Sequence, residues 1–555
     1  MPQFNEFQIQ AIHSDKKQIL VVAAPGSGKT TVLVNRILDL VSTKKINPYE
    51  IVVITFTKKA ALNMEERFKK LYSSEVLPFF GTFHSFCYRI LLSEGYTIKI
   101  ISESEKYDLF KKFVYELTGK VMPKSKHINK DLYKNEIIMK RYVDYKKENS
   151  LFDFDDLEDE VIKLLGTESI RIKYNSKYHH ILVDEFQDCN DKQIYILKKF
   201  SESSIFCVGD EDQCIYTFRG SNPEYMVTFC DHFKEGIKLD LPVNYRCPKN
   251  IVLMSKNLIK YNKKRNDKDI NYFRETDGEI NLLDHENEDN AHASLLKSLQ
   301  SLKCENTCGV LVRTNKEIIP ILFSLFKKNI AACVRDGLSF LDFKTIKDLE
   351  NLIKLSMNFN NKDAFLELTP YISKIEKQSI LKQGDLFNYC RRFSLYKRRR
   401  VLILKIITLI LRFSDKMSVM KIFKYFPYYN KIIDFKEIDS IIEDLNLNDY
   451  NLNDILNHLK YLENSLYNKN SNITISTIHG IKGMEFDEVH ILNACEGFLP
   501  ITTKDSNIEE ERRIFYIAIT RTREKLTIHH IKYYLEKERE KSRFLKELYD
   551  NINVI

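Results

Sequence analysis

Ile19-Leu20-Val21-Val22-Ala23-Ala24-Pro25-Gly26-Ser27-Gly28-Lys29-Thr30-Thr31 is the stretch that decides the fold class. Ile19–Ala23 is a short, apolar, β-branched run, the pattern of a buried parallel strand. It breaks at Pro25-Gly26-Ser27-Gly28, and a helical pattern follows through Val32, Leu33, Ile37 and Leu40. Strand, glycine-rich turn and helix together are the context of a phosphate-binding loop. The glycines let backbone N–H groups close on phosphates, and the helix N-terminus favours an anion. Lys29 is placed to reach the β/γ-phosphates, and Thr30 to hold Mg²⁺. Ala23 occupies the position where G-x-x-x-x-G-K-T/S begins with glycine.

A second apolar run, Ile181-Leu182-Val183, ends in Asp184-Glu185. Both carboxylates then lie at the carboxyl end of a strand, where open α/β sheets bind their ligands. Asp184 can enter the Mg²⁺ shell and Glu185 can polarise an attacking water. With the phosphate loop, these acids define an NTPase site.

Composition is consistent with this reading and excludes several others. The 555 residues exceed the ~100–200 typical of one domain, so three to four domains are expected. Apolar residues make up 43% and charged residues 29%, an ordinary globular balance, and the net charge of +9 is a mild basic excess. The 11 cysteines follow no framework spacing, which rules out a disulfide-stapled secreted domain. Cys304 and Cys308 have no second pair nearby to complete a metal site. Met1–Gln10 is polar, and Val401–Phe413 is too short to span a bilayer and carries Lys405 and Arg412. A cytoplasmic chain without membrane association is expected.

Further motifs follow in a fixed order. Asp184-Glu185-Phe186-Gln187-Asp188 with Gln193 resembles the second motif of superfamily 1A helicases, the UvrD/Rep/PcrA family. Phe4-Asn5-Glu6-Phe7-Gln8 resembles the family's glutamine motif, Thr55–Ala61 motif Ia, Gly81–Phe86 motif Ib and Gly209–Gly220 motif III. Asn244-Tyr245-Arg246 resembles motif IV, with the short following motif at Val310–Asn315. Ser476–Phe486 resembles motif V, and Glu510–Arg513 with Tyr516–Arg523 resembles motif VI.

The resemblance implies an α/β fold of two RecA-like P-loop lobes with parallel sheets, each interrupted by a mainly helical insert. Lobe 1A would comprise residues 1–87 and 150–240, and insert 1B residues 88–149. Lobe 2A would comprise 241–340 and 473–555, and insert 2B residues 341–472. ATP and Mg²⁺ are the implied cofactors. Ala23, Ala24, Pro25, Gly26, Ser27, Gly28, Lys29, Thr30 and Thr31 would form the phosphate loop, with Thr30 and Asp184 holding the metal. Gln8 would recognise adenine, Tyr245 would stack on it, Glu485 would hold the ribose, and Arg36 would lie near the nucleotide. A motor needs second-lobe cations that reach the phosphate only when the cleft closes. Arg246 and Arg521 would play that part, with Gln213 sensing the γ-phosphate from the first lobe.

Single strands bind without sequence choice when bases stack on aromatics beside a basic track. The candidates are Phe56, Thr57, Phe83, His84, Tyr216, Phe218, Arg219 and His479. Phe218 occupies a position where the family usually has Trp, and this chain contains none. Residues 111–150 carry 11 basic against 5 acidic residues, with Tyr115, Tyr133, Tyr142 and Tyr145 interleaved. That stretch reads either as a solvated helical face or as a nucleic-acid track.

Insert 2B is short for the family, and Tyr371-Ile372-Ser373 replaces its duplex-contacting Gly-Ile-Gly turn after Thr369-Pro370. Arg391, Arg392, Lys397–Arg400 and Lys405 form a different basic element, expected to contact duplex or a partner instead. Asn468–Asn472 reads as the return linker. The chain runs to Ile555, soon after Arg521, so no C-terminal nuclease or tail domain is expected. The reading is a 3′→5′ ATP-dependent DNA helicase or translocase acting on single-stranded and tailed duplex DNA as a monomer or weak dimer. Direction and DNA preference come from the resemblance. The alternative is an accessory translocase or ATP-gated subunit that works with a separate nuclease or a replication, repair or defence partner. An RNA remodeller is a third.

Overall fold

The computed structural model describes residues 4–118, 135–335 and 471–549, apart from 504–505 and 535–536, together with parts of 346–368 and isolated positions in 454–461. The 391–405 basic element, the 371–373 turn, Tyr133 and the 401–413 apolar run lie outside them. The chain divides into two compact units, one of residues 1–100, 152–315 and 475–555, the other of 101–151 and 316–474.

Beside a small two-stranded sheet of Val243–Pro248 and Asn271–Arg274, the first unit carries two large ones. In one, six parallel strands run in the order Phe79–Gly81, Ile51–Ile54, His180–Val183, Ser204–Gly209, Gln18–Ala23 and Gly236–Leu241. Gln18–Ala23 lies near one edge, is buried at every position, and pairs with Ser204–Gly209 on one side and Gly236–Leu241 on the other. A strand buried on both faces needs an unbroken apolar sequence rather than an alternating one, which is what Ile19–Ala23 supplies. One apolar core contains Leu33, Ile37, Val53 and Phe206; another contains Phe86, Leu157, Ile181 and Met226. These are two RecA-like layers around one sheet.

The second sheet runs Glu279–Asn287, Thr522–Tyr534, Phe486–Ile491, Cys308–Val312, then Ile473–Thr477. Its first three pairings are parallel. Helices Lys249–Ile259 and Ile508–Ile519 pack on it through Val252, Leu258, Phe515 and Ile519. Ala24 and Ile215, from the first sheet's loops, join this same core. The carboxyl ends of the first sheet's strands therefore pack directly on the second lobe, and the site forms at that junction.

In the second unit, helices Glu103–Thr118 and Glu136–Glu148 pack on each other through Phe110, Phe113, Ile138 and Tyr142. Phe110 and Tyr142 lie 5.0 Å apart, ring to ring. Tyr142 is thus a core residue rather than a stacking platform, and Tyr145 packs against the same core. Helical periodicity explains both: Ile138, Tyr142 and Tyr145 recur at spacings of four and three on one face. No helix among the described residues is long and apolar enough to cross a membrane.

Candidate functional site: a nucleotide cleft beside an aromatic strip

Strand Gln18–Ala23 delivers the loop to the sheet's carboxyl edge, and helix Lys29–Leu38 begins directly after Gly28. Gly28 is left-handed (φ 86°) and caps the helix with no side-chain hydrogen bond, so no side chain covers its first-turn N–H groups. Ser27 Oγ is buried without a hydrogen-bond partner. Uncovered N–H groups, an unpaired hydroxyl and Lys29 suit a polyphosphate. Ala23 ends the strand, fully buried and outside the left-handed region, so the loop needs no glycine there.

Gly26 (φ 66°) is a point of close approach between the lobes. A Cβ on it would lie 2.7 Å from Arg246 Cβ and 3.0 Å from Asn244 Oδ1. Tyr245 N–H donates to the Gly26 carbonyl at 3.1 Å. The tyrosine hydroxyl accepts from Asn5 Nδ2 at 2.7 Å. Gln8, capping the first helix with Asn5, donates to the Ser27 carbonyl at 3.1 Å. The glutamine motif, loop and motif IV therefore interlock around one cleft.

Asp184 and Glu185 follow strand His180–Val183. Burial first and the Glu185 charge second push Asp184 up. Burial also works against a charged Glu185, but Lys29 and then Lys482 hold it below the usual carboxylate range. Lys29 Nζ lies 3.8 Å from Glu185 Oε2. Glu185 itself is left-handed (φ 52°), a strained position for a residue with a Cβ and one common at reactive sites. Thr30, half-buried in the first turn of the loop helix, and Asp184 are the oxygen donors that fit Mg²⁺.

The cations come from the second lobe. Arg246 Nε donates to Glu485 at 2.5 Å and Nη1 to the Thr520 carbonyl at 3.1 Å. Arg523 also donates to Glu485. Arg521 is buried and donates to Gln213 Oε1 at 3.1 Å and to the Ile517 carbonyl at 3.1 Å. Burial first, then the adjacent Arg246 charge, depress the Arg521 guanidinium. Two cations crowded at low dielectric make a site that an anion stabilises.

A strip of aromatics lies on the same unit. Phe56 stacks on Tyr216 at 4.9 Å and 16°. Phe218 and His479 each approach Tyr216, at 5.9 and 6.2 Å. Arg219 spans the Phe56, Tyr216 and Phe218 rings at 5.4–5.9 Å. Phe218 is 54% exposed. Burial first, then Arg313, pull His479 down to about 4, so it is neutral at pH 7. His84 sits apart from these contacts, 3.4 Å from Glu158 and against the exposed Phe154 ring at 5.1 Å.

Arg36 is buried, donates to the Ile12 carbonyl at 2.7 Å at the end of the helix that carries Gln8, and lies over Phe206. One expectation is corrected by the structure. Phe83 is 7% exposed and packs with Phe86 in the sheet core, so it presents no face for stacking. Thr57 is exposed, but its hydroxyl caps helix Lys58–Lys69. Two further residues, Gln187 and Lys482, join the site without having been singled out. Gln187 donates to Glu185, Lys482 donates to Asp188 at 2.5 Å while lying over Tyr216, and Phe154 flanks the separate His84. Gln187 and Lys482 sit inside motifs named above and Phe154 does not; in each case only packing shows the contact.

Two parallel sheets, a phosphate loop on one and arginines from the other define a two-lobed P-loop NTPase. The UvrD/REP helicase N-terminal domain matches residues 4–137 and 116–234, and the UvrD-like helicase C-terminal domain matches 239–382 and 369–533. The chain belongs to the UvrD/REP helicase family. It is 27% identical to a probable DNA helicase II homolog of Mycoplasma capricolum, over 98% of this chain and 87% of the relative. It is 26% identical to the ATP-dependent DNA helicases PcrA of Staphylococcus epidermidis and Staphylococcus aureus, over 99% of this chain and 86% of each.

Proposed function

We propose that the chain is an ATP-dependent DNA helicase that moves 3′→5′ along single-stranded DNA and separates duplex. The observation that carries this is the seat of Gly26 on Arg246, with Arg521 on Gln213 beside it. Second-lobe cations already touch first-lobe groups, so loss of charge at the γ-phosphate changes how the lobes hold together.

Glu185 takes a proton from the attacking water, oriented by Gln187. Arg246, released from Glu485, and Arg521 neutralise charge developing on the transferred phosphoryl group. Mg²⁺, held by Thr30 and Asp184, would offset the phosphate charge. Tyr245 and Gln8 receive the adenine and Glu485 the ribose. Phe56, Tyr216, Phe218, His479 and Arg219 hold the strand, with His84 and Phe154 extending the track. Lys482 bridges the two functions, since it contacts both Asp188 and the Tyr216 ring. The accessory, non-unwinding reading rested on residues outside the described ones, and relatives named as helicases along nearly the whole chain do not favour it.

The test is steady-state ATPase with single-stranded DNA, duplex and RNA, plus strand separation on 3′- and 5′-tailed duplexes. Single-stranded DNA should stimulate most, with unwinding from the 3′ tail only. Lys29→Ala should abolish turnover yet retain strand binding, and Glu185→Gln should trap ATP. Near wild-type hydrolysis in either variant would refute the site assignment.

A further inference from the structure

Behind Gln213 lies an ionic cluster that none of the roles above uses. Asp210, Glu211 and Asp212, consecutive on motif III, are fully buried. Lys268, from the segment after helix Lys249–Ile259 of the second lobe, enters among them. Its Nζ lies 2.6 Å from Asp210 Oδ1, 3.2 Å from Glu211 Oε1 and 2.7 Å from Asp212 Oδ2. Arg265 forks onto both Asp212 oxygens at 3.2 and 2.9 Å. The Asn266 N–H donates to Glu211 Oε1 at 2.8 Å, and Lys238 holds the Asn266 amide at 2.7 Å.

The connection to chemistry runs through Asp210. Its second oxygen accepts from Gln213 Nε2 at 2.7 Å, and Gln213 Oε1 accepts from Arg521 at 3.1 Å. Its backbone N–H donates to Gln187 Oε1 at 2.9 Å, and Gln187 in turn donates to Glu185. A glutamine amide has two flip states, and only one presents nitrogen to Asp210 and oxygen to Arg521. That choice requires an Asp210 oxygen that accepts from Gln213, and Lys268 holds the other oxygen. A buried ion cluster is a weak source of stability compared with apolar packing. Lys268 and Arg521 both belong to the second lobe and grip the Asp210–Gln213 unit of the first from two directions.

We propose that Lys268 is a positioning residue for ATP hydrolysis: through Asp210 it fixes the amide orientation of Gln213, so that the glutamine meets Arg521 and the γ-phosphate only when the second lobe is seated. The inference rests on the reading of Gln213 and Arg521 as phosphate-facing groups. It assigns Lys268 an effect on turnover, not on nucleotide affinity.

Lys268→Met alone leaves three buried carboxylates facing one guanidinium and would compromise folding. The test therefore uses the full chain carrying Lys268→Met with Glu211→Gln, which preserves the cluster's net charge and leaves Asp210 without its lysine. Asp210→Asn, of nearly equal volume, is an independent arm. DNA-stimulated kcat should fall at least about tenfold in both, with KM for ATP within about twofold and the melting temperature close to wild type. Added to Gln213→Ala, the Lys268/Glu211 pair should lower kcat no further, because both act on one path. A kcat within about twofold of wild type in the paired variant, or a further full loss in the Gln213→Ala background, overturns the role of Lys268 alone. Wild-type kcat in Gln213→Ala itself overturns the site reading and this inference with it.

Discussion

Gly26→Ala separates backbone strain from lobe contact, because the structure offers a matched control. Gly26 and Gly95 both have positive φ, 66° and 84°. An alanine in that region costs roughly 1–2 kcal/mol wherever it is placed. At Gly95 nothing lies within 4 Å of the added methyl, so strain is the whole effect. At Gly26 the methyl would sit 2.7 Å from Arg246 Cβ, where ordinary contact begins nearer 3.4–4 Å. Arg246 must then retreat by about 1 Å, and a misplacement of that size costs roughly 10²-fold in rate. Both variants should melt a few degrees below wild type. Only Gly26→Ala should lose DNA-stimulated kcat, by about two orders of magnitude. Calorimetry and coupled-enzyme ATPase measure the two effects. If the variants melt alike and Gly26→Ala turns over within about threefold of wild type, the lobe-contact reasoning is wrong.

Phe218→Ala should weaken single-strand binding by ~1–3 kcal/mol, about 5- to 150-fold, with the salt dependence unchanged, whereas Phe218→Trp should tighten it; fluorescence anisotropy across a salt series reads both. In the second sheet, His285, His529 and His490 form a chain of ring-to-ring hydrogen bonds at 3.0 Å each. Burial lowers all three, His490 from the ordinary 6.5 to about 4. Their neutral forms stabilise the fold, so that stability is complete above pH 6.5 and is lost as the pH falls toward 4. His490 alone accounts for roughly 3 kcal/mol of this. Melting temperature should drop steeply over that window, and His490→Asn should flatten the profile; a wild-type slope in that variant would count against the assignment.

The phosphate loop was legible because it is a local object. Hydrophobic run, glycine turn and helix lie within thirteen residues, so the loop's type follows from that order even though Gln8 and Tyr245 reach it from outside. Ala23 illustrates how far such reading extends: the pattern marked it as a departure, and only its place at a strand end shows that the departure costs nothing. Phe83 illustrates where it stops. It sits in motif-like surroundings yet faces inward, and a helix's rotation about its axis is set by what it packs against.

Sequence alone carried the phosphate loop and the paired strand-end acids, each encoded over a few adjacent residues, and the ordered motif series whose resemblance implied two parallel-sheet lobes. The tertiary structure alone decided which charges meet. Gln213 and Arg521 are 308 residues apart in sequence and 3.1 Å apart in space. Arg246 reaches Glu485 across 239 residues, and Lys268 enters the motif III carboxylates from 58 residues away. Coulomb energy depends on distance and on the water excluded between groups, and neither is a property of spacing along the chain.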